Sequence, residues 1–226
     1  MGLLGMHLDG YGCAGASASA YGIACRELES GDSGLRSFVS VQGSLCMFPI
    51  WKYGSEEQKQ QWLPRMASGE IIGCFGLTEP DHGSDPSSMT TRAVKVGNKW
   101  VLNGAKRWIT NAGIAQLAIV WANTAEGFRG FLVPTDSPGF EARKIENKLS
   151  LRASITGEFY MTDVEVSESM RLPDAMSIGA PLSCLSEARY GIAYGAVGVA
   201  RSCYRAALEL SLIHISEPTR PERISY

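Results

Sequence analysis

The sequence has little of what membrane, nucleic-acid and metal-binding proteins usually carry. Its longest apolar runs, such as Leu117 to Ala122, fall far short of the ~20 residues needed to cross a bilayer. Twenty-one Lys and Arg against 23 Asp and Glu give a formal net charge of −2, without the basic excess that phosphate-backbone binding needs. Only three histidines occur, which argues against a multi-histidine metal site. We expect a soluble protein with neither a membrane nor nucleic acid as a partner.

The cysteines and the first residues carry no sign of export. None of the six cysteines forms a C-x-x-C pair, and a chain of 226 residues with 45% hydrophobic residues can bury a core without disulfides. We interpret them as reduced, mostly buried thiols and predict no metal ligands among them. The segment MGLLGMHLDGYG has neither a basic region followed by a long apolar core nor an Arg-rich amphipathic pattern. No export or import signal is therefore expected.

Residues 1–70 are predicted to form a helical region. The stretch 16–30 is rich in Ala and other small residues, and the glycines of 31–34 should end its helix. In 55–69, Ser55 and Gln58 stand at capping-box spacing, and Pro64 should divide or kink that helix.

Residues 71–173 are predicted to form a β domain. Apolar and polar residues alternate there between frequent Gly, Asn and Pro residues, which favours a small barrel or sandwich. The segment KWVLNGAKRWIT predicts a hairpin with Asn103-Gly104 in a type I′ turn. Further strands are predicted at 117–124, 127–134 and 157–166.

Residues 181–209 return to helical periodicity, which completes an α, β, α order and predicts an α+β multidomain fold. Three glycines on this stretch, Gly191, Gly195 and Gly198, should let another helix approach closely, at about 1 kcal/mol of helix propensity each. Residues 210–226 read as a separate tail.

Two segments could carry chemistry. The segment GCFGLTEPDHGSDPSS, residues 73–88, offers backbone N–H groups, hydroxyls and carboxylates directly after a strand, which suits a planar or anionic ligand or an ordinary polar connection. Downstream, Trp108 and Thr110 stand at a predicted strand end. The Trp108 ring could pack beside a conjugated cofactor or fill the barrel core.

Together these segments resemble the acyl-CoA dehydrogenase flavoprotein family. The pattern consists of FGLTEP at 75–80, GSD at 83–85 and WIT at 108–110, and the α, β, α order agrees with it. The resemblance extends from Gly2 to about Glu209. It is strongest to the glutaryl-CoA dehydrogenases, through ARELESGDSGLRS, YGSEEQ, GCFGLTEP, GSDPSSM, LSLRAS and EARYGIAYG.

The resemblance implies FAD as the cofactor. Its isoalloxazine and ribityl groups would be held by the loop at 75–84 and by the WIT segment, with Thr78 and Thr110 as polar donors, while Glu79, Asp81 and Asp85 would shape the loop. Aimed N–H and O–H groups stabilise the negative charge that a reduced flavin gains, and apolar walls exclude water. The implied cofactor-binding residues are Phe75, Gly76, Leu77, Thr78, Ser84, Trp108, Ile109 and Thr110.

The resemblance also implies an acyl-CoA substrate, specifically glutaryl-CoA. Arg36 and Ser37 would engage its distal carboxylate, with Glu29 orienting Arg36, because an arginine fork can hold a carboxylate in a bidentate way. The alternative is that Arg36 only pairs with Glu29 or Asp32 on the surface, worth ~0 to 1 kcal/mol. Arg189 could likewise be a plain helix-surface charge. The implied substrate-binding residues are Glu29, Arg36, Ser37, Ser84, Leu185, Ser186, Glu187, Ala188, Arg189, Tyr190, Gly191 and Ile192.

By the same resemblance the parent enzyme would oxidise glutaryl-CoA between Cα and Cβ and decarboxylate the product to crotonyl-CoA, in lysine and tryptophan degradation. A short-chain acyl-CoA dehydrogenase of other specificity is the alternative. The family's general base is a glutamate late in the C-terminal helical domain, and nothing after Glu209 resembles that region. We therefore predict no catalytic residue in this chain, which would be an inactive fragment or a flavin- or acyl-CoA-binding fragment.

The tail departs from the family. Pro218 and Pro221 stand where the family continues a long helix, and residues 211–220 resemble the in-frame translation of a transposon-end sequencing adapter. A genuine divergent tail is the alternative. The resemblance further implies electron-transferring flavoprotein as the acceptor, a homotetramer at full length, and a cytoplasmic location in a bacterium or the mitochondrial matrix in a eukaryote.

Overall fold

The computed structural model describes residues 2–216, and side chains as far as residue 213. Within it the order of elements is helical, then β, then helical, as the sequence predicted. None of the described helices is both long and apolar enough to cross a lipid bilayer.

The N-terminal region contains four α-helices and a π-helical segment. Helices α1 (Ala18–Gly31) and α2 (Ser33–Ser40) adjoin through Asp32, whose carboxylate accepts from the Gly34 N–H at 2.6 Å. The chain then passes through the π segment Val41–Met47 into α3 (Phe48–Tyr53). Helix α4 (Glu56–Ser68) follows.

Two details of this region differ from the prediction, and one agrees with it. Residues 2–17 form turns and irregular structure rather than a helix. Five glycines in this segment have positive φ, which glycine adopts readily and which is incompatible with a right-handed helix: Gly2, Gly5, Gly10, Gly12 and Gly15. The predicted capping box of Ser55 and Gln58 is present. However, α4 runs across Pro64 without a break, so the proline does not divide it.

The middle region is one mixed sheet of seven strands. The strands are β1 (Gly73–Gly76), β2 (Arg92–Val96), β3 (Lys99–Thr110), β4 (Leu117–Thr124), β5 (Gly127–Pro134), β6 (Phe140–Lys144) and β7 (Thr156–Ser167). Their order is β1-β4-β2-β3-β7-β6, and β5 pairs with β4. The pairs β1–β4 and β2–β4 are parallel, and the others are antiparallel.

The predicted hairpin at Asn103-Gly104 is wrong. Strand β3 continues through both residues, and the β2–β3 turn lies at Gly97 and Asn98 instead, with Gly97 at φ +60°. Gly104, at φ +151°, sits in a register shift against β7, so this glycine forms a β-bulge. Its missing Cβ makes room for Thr91, whose Oγ1 would be 2.4 Å from a Cβ at this position.

The C-terminal helix α5 (Gly179–Ser216) packs against α1. As predicted, its glycines allow a close approach: a Cβ at Gly191 would lie 2.8 Å from the Tyr21 hydroxyl oxygen, and one at Gly198 would lie 2.1 Å from the Arg26 carbonyl oxygen. The helix begins before the predicted position and continues past residue 210.

The tail predicted at 210–226 does not begin as a separate segment, because residues 210–216 remain in α5. No proline stands among residues 210–216, so this part of the sequence contains no helix breaker. The predictions about Pro218, Pro221 and the rest of 217–226 lie outside the described residues.

Two apolar cores flank the sheet. One joins the helices to the sheet around Trp62, Ile119 and Trp121, and the other fills the opposite side around Trp100, Phe131 and Phe159. All six cysteines are free thiols, four of them buried, while Cys13 is partly buried and Cys203 is exposed. The edge between the helices and the carboxyl end of β1 is where the predicted site residues meet.

Candidate flavin and acyl-CoA site

A cavity of about 330 Å³ lies between the helices and the sheet. One wall is the segment after β1 together with the loop at 83–86, and the opposite wall is the end of β3. The π segment and the start of α5 close the remaining sides. The lining residues are Val41, Leu45, Phe75, Leu77, Thr78, Gly83, Ser84, Pro86, Trp108, Ile109, Thr110, Leu182, Leu185 and Arg189.

The cavity brings together most of the predicted cofactor residues. Seven of the eight line it, and Gly76 lies behind the wall, where a Cβ would be 2.5 Å from Phe159 Cζ. The lining combines apolar surface from Phe75, Leu77 and Ile109 with the hydroxyls of Thr78, Ser84 and Thr110. Such a lining can hold a flat, largely apolar ring and satisfy its polar edge.

Trp108 is exposed, so it does not fill the core. Its side chain is 57% accessible, and its backbone takes φ +61° at a register shift between β3 and β7. The Arg107 guanidinium lies 5.4 Å from the centroid of the ring. A left-handed backbone costs a bulky residue roughly 1–2 kcal/mol, which the surrounding pairings must offset.

A second cavity, of about 520 Å³, lies beside Trp108 and Thr110. Its other walls are Ser37 and the loop at 145–156. Lys148 fixes this loop by donating to the carbonyl oxygens of Leu151 (2.9 Å) and Ser154 (2.5 Å) and to Thr156 Oγ1 (2.7 Å). The two cavities share Trp108 and Thr110, so these residues separate the two recesses.

Arg36 and Glu29 form a buried ion pair between α1 and α2. Arg36 is 8% exposed and Glu29 is 9% exposed, which excludes the surface pairing with Glu29 considered above. In the described part of the chain, the hydrogen bonds of the Arg36 side chain go to Glu29 alone. Gly195 of α5 lies against this pair, since a Cβ there would be 2.6 Å from Glu29 Oε2.

The predicted residues on α5 are only partly brought to the cavity. Leu185 and Arg189 line it. Ser186 donates back to the Leu182 carbonyl at 3.1 Å, Ala188 is buried, and Glu187 is half-buried. Tyr190 and Gly191 pack on Tyr21, and Ile192 is 50% exposed. Glu29 and Arg36 do not line either cavity, whereas Ser37 lines the second.

Two of the three loop carboxylates, Asp85 and Glu79, make contacts that can shape the loop. Asp85 accepts from the Ser87 N–H at 3.1 Å and also pairs with the hydroxyls of Ser87 and Ser88. Hydrogen bonds from both hydroxyls lower the pKa of the Asp85 carboxyl. Glu79 is buried and pairs with Lys106.

Sequence reasoning missed Val41 and Leu45, because no local pattern marks the π segment that carries them. In this segment the buried Gln42 amide donates to the carbonyl oxygens of Met66 (3.2 Å) and Ile71 (2.8 Å) and accepts from the Gly73 N–H (2.8 Å). These contacts fix the π segment against the start of β1. Short π stretches inside α-helices often occur at functional sites.

Metal chemistry has no support in the described residues. Among the side chains that the structure describes, those of residues 2–213, no group of three or more His, Cys, Asp or Glu could hold a metal ion. Burial raises the pKa of the Cys74 and Cys184 thiols to about 12, so neither is a reactive thiolate at neutral pH.

The helical and β regions both match models of one family. Residues 1–70 match the acyl-CoA dehydrogenase N-terminal domain, and residues 74–164 match the acyl-CoA dehydrogenase middle domain. A helical layer against a mixed sheet, with a ligand-sized cavity between them, is the arrangement observed. The chain belongs to the acyl-CoA dehydrogenase family.

Solved structures and curated proteins agree with this assignment. A glutaryl-CoA dehydrogenase from Mycobacterium smegmatis, solved in complex with FADH2, is 63% identical with a TM-score of 0.88, over 89% of this chain and 52% of that one. The butyryl-CoA dehydrogenase of Megasphaera elsdenii is 32% identical with a TM-score of 0.89, over 98% of this chain and 60% of that one.

Among curated proteins, the human mitochondrial short-chain specific acyl-CoA dehydrogenase is 39% identical over 92% of this chain and 52% of its own length. The chain thus spans about half the length of the curated relatives that it matches.

Proposed function

We propose that this chain forms the FAD-binding part of an enzyme that dehydrogenates glutaryl-CoA. The observation that carries the proposal is the cavity in which the segment after β1 faces Trp108, Ile109 and Thr110. The 63% identity to a glutaryl-CoA dehydrogenase with bound FADH2 supports both the cofactor and the substrate.

The cavity residues fit a flavin by their chemistry. Thr78 and Thr110 supply hydroxyl donors, Phe75, Leu77 and Ile109 supply apolar walls, and Trp108 supplies an exposed aromatic face. FAD, when bound, supplies the capacity to accept a hydride equivalent. The protein's own part is to bind and orient the ring, to place hydroxyl donors where charge develops, and to exclude water.

The proposed preference for glutaryl-CoA depends on Arg36. Its guanidinium is held by Glu29, and the next residue in the chain, Ser37, lines the second cavity. Because Glu29 engages Nε, the two terminal nitrogens of the fork are the proposed contacts of a carboxylate. A short-chain acyl-CoA without a distal carboxylate is the competing substrate, and the 39% identity to the human short-chain enzyme supports it.

Two further features of the family are proposed here. Electron-transferring flavoprotein is the proposed acceptor, and a homotetramer is the proposed assembly of the full-length enzyme. Exposed apolar side chains on α5, among them Val197, Leu208 and Leu210, support a further packing partner for that helix. Decarboxylation to crotonyl-CoA and a place in lysine and tryptophan degradation follow only if glutaryl-CoA is the substrate.

Flavin binding by the purified chain tests the cofactor assignment. Thr78→Val and Thr110→Val should each weaken FAD binding about 5- to 15-fold, since a neutral hydrogen bond contributes about 1 to 1.5 kcal/mol. Thr162→Val, an exposed threonine on β7, is the matched control and should bind FAD as the wild type does. The measurement is a titration that follows flavin absorbance and fluorescence. A wild-type chain that leaves the flavin spectrum unchanged would overturn the assignment.

A further inference from the structure

Lys106 is a fully buried lysine in the middle of β3. Its ammonium donates to the Leu77 carbonyl oxygen and to Glu79 Oε1, both at 3.0 Å, and lies 3.8 Å from Met89 Sδ. The side chain passes beneath Gly76, where a Cβ would lie 3.3 Å from Lys106 Cγ. Such a buried charge is expensive unless it is paired, so its two partners define its role.

Glu79 is also buried, and its carboxylate accepts hydrogen bonds from neighbouring residues as well as from Lys106. Its Oε2 accepts from the Thr90 N–H (2.7 Å) and hydroxyl (2.8 Å), and its Oε1 accepts from the Thr91 N–H (2.9 Å). Burial raises the pKa of the Glu79 carboxyl, but Lys106 and these hydrogen bonds together lower it to about 2. Burial lowers the pKa of Lys106 to about 8, so both groups are charged at neutral pH.

The pair joins the two walls of the first cavity. Leu77 and Thr78 belong to one wall, and Trp108 to Thr110, which begin two residues after Lys106 on β3, belong to the other. The Arg107 N–H donates to the Thr78 carbonyl oxygen at 2.9 Å, which adds a second connection beside the lysine. The carbonyl groups of both Leu77 and Thr78 are therefore hydrogen-bonded to β3.

We propose that Lys106 is a positioning residue for the flavin. By holding the Leu77 carbonyl and the Glu79 carboxylate, it fixes the separation of the two walls, so that the hydroxyls of Thr78 and Thr110 face one ligand. The identity of that ligand as a flavin rests on the proposed function. The role of Lys106 in holding the two walls does not depend on which ligand binds.

If Lys106 served only to stabilise the fold, variants that restore stability would also restore FAD binding. Replacing Lys106 alone leaves the Glu79 charge buried without its cation and will lower stability in either case. Replacing Lys106 and Glu79 together by neutral residues of similar size removes that penalty. Stability then recovers, whereas the Leu77 carbonyl still lacks its donor.

The variants are Lys106→Met, the double variant Lys106→Met with Glu79→Gln, and Lys99→Met. Lys99 is the matched control, because it lies on the same strand and pairs with Glu165 at 2.7 Å on the surface. The readouts are thermal unfolding, exchange of the Arg107 amide hydrogen without flavin, and FAD affinity by titration. The Arg107 amide reports the wall directly because its acceptor is Thr78.

We expect the double variant to unfold at a higher temperature than Lys106→Met, to exchange the Arg107 amide at least about 10-fold faster than the wild type, and to bind FAD at least about 10-fold more weakly. Lys99→Met should match the wild type in all three readouts. Wild-type FAD affinity and wild-type exchange in the double variant would overturn the inference. If the wild-type chain binds no FAD, the proposed function fails, and the Arg107 exchange rate alone decides whether Lys106 holds the walls.

Discussion

Ser30 on α1 donates its hydroxyl hydrogen to the Gly198 carbonyl oxygen on α5 at 3.0 Å. The same hydroxyl oxygen lies 3.0 Å from the Arg26 carbonyl oxygen of its own helix. Two backbones can share one serine in this way because Gly198 has no side chain between the helices. At this position the two helices therefore meet through the backbone of α5.

Gly198→Ala should destabilise the chain, although alanine favours helices. The added Cβ would lie 2.1 Å from the Arg26 carbonyl oxygen, a backbone atom that no rotamer change can move. We expect the free energy of unfolding to fall by about 1 to 3 kcal/mol, measured by urea denaturation. Gly31→Ala on α1 meets nothing within 4 Å and is the control. Equal effects of the two substitutions on the free energy of unfolding would contradict the prediction, because they would show that the close contact at Gly198 does not limit side-chain size.

The Trp108 backbone predicts an unusual order of stability for two truncations. At φ +61° a glycine avoids the steric cost of the left-handed region, so Trp108→Gly should be more stable than Trp108→Ala by about 1 kcal/mol. At Trp51 on α3 the order should reverse, because glycine costs about 1 kcal/mol relative to alanine inside a helix. The unfolding midpoints of the four variants measure both differences. If the alanine variant is the more stable one at both positions, the predicted effect of the left-handed Trp108 backbone is wrong.

His7 should make the folded state sensitive to mild acid. Among the described residues neither ring nitrogen has a hydrogen-bond partner, and burial lowers the pKa of this histidine to about 4 from 6.5. Between those values the unfolded chain binds a proton that the folded chain does not, so the free energy of unfolding falls as pH drops from 6.5 to 4. The loss is at most about 3 kcal/mol.

The test of this pH dependence is His7→Phe, which keeps a ring against Tyr21, 4.5 Å away between centroids. The variant should have a shallower slope than the wild type between pH 6.5 and 4, the remaining slope coming from carboxyls of lowered pKa such as Glu79, and His82→Phe should retain the wild-type slope. Denaturant unfolding at several pH values measures the slopes. An unchanged slope in His7→Phe would assign the acid sensitivity to other groups.

Arg36→Ala should separate the two candidate substrates. Losing a hydrogen-bonded charged contact costs about 1.5 to 3 kcal/mol, so the affinity for glutaryl-CoA should fall roughly 10- to 150-fold while butyryl-CoA is little affected. Because the substitution leaves Glu29 buried, Arg36→Ala is made with Glu29→Gln, and folding is checked by thermal melting. Arg26→Ala, which breaks the exposed pair with Glu27 on the same helix, is the control. Equal losses for both ligands in calorimetry would assign Arg36 a purely structural role.

Local signals located the main elements and the cavity-lining segment after β1, but not the details that depend on distant pairing. The Asn103-Gly104 dipeptide indicates a position that favours positive φ, and both a type I′ turn and a β-bulge meet that requirement. What decides between them is β7: the Asn103 side chain donates to Asp163 Oδ1 at 3.0 Å and accepts from the Asp163 N–H at 2.9 Å. A partner about 60 residues away is invisible to a local pattern.

The helical wall of the cavity was missed for a related reason. Nothing in VQGSLCM distinguishes π from α geometry. The structural role of Gln42 depends on its hydrogen bonds to Met66, Ile71 and Gly73, which are distant in the sequence. The burial of Lys106 cannot be predicted locally either. A lysine among the Arg and Trp residues of β3 would be expected to face solvent, and only the fold brings Glu79 beside it.

The pairing of α1 with α5 also constrains the order in which the molecule can mature on the ribosome. The Ser30 and Gly198 partners are 168 positions apart, so α1 emerges and waits while the whole sheet is synthesised. At about 5–20 residues per second this interval lasts on the order of ten to thirty seconds, during which Tyr21 and Cys25 lack their cover from α5. Chaperone capture during translation is therefore expected to act on α1, and slowing synthesis downstream of the sheet should lengthen its exposure.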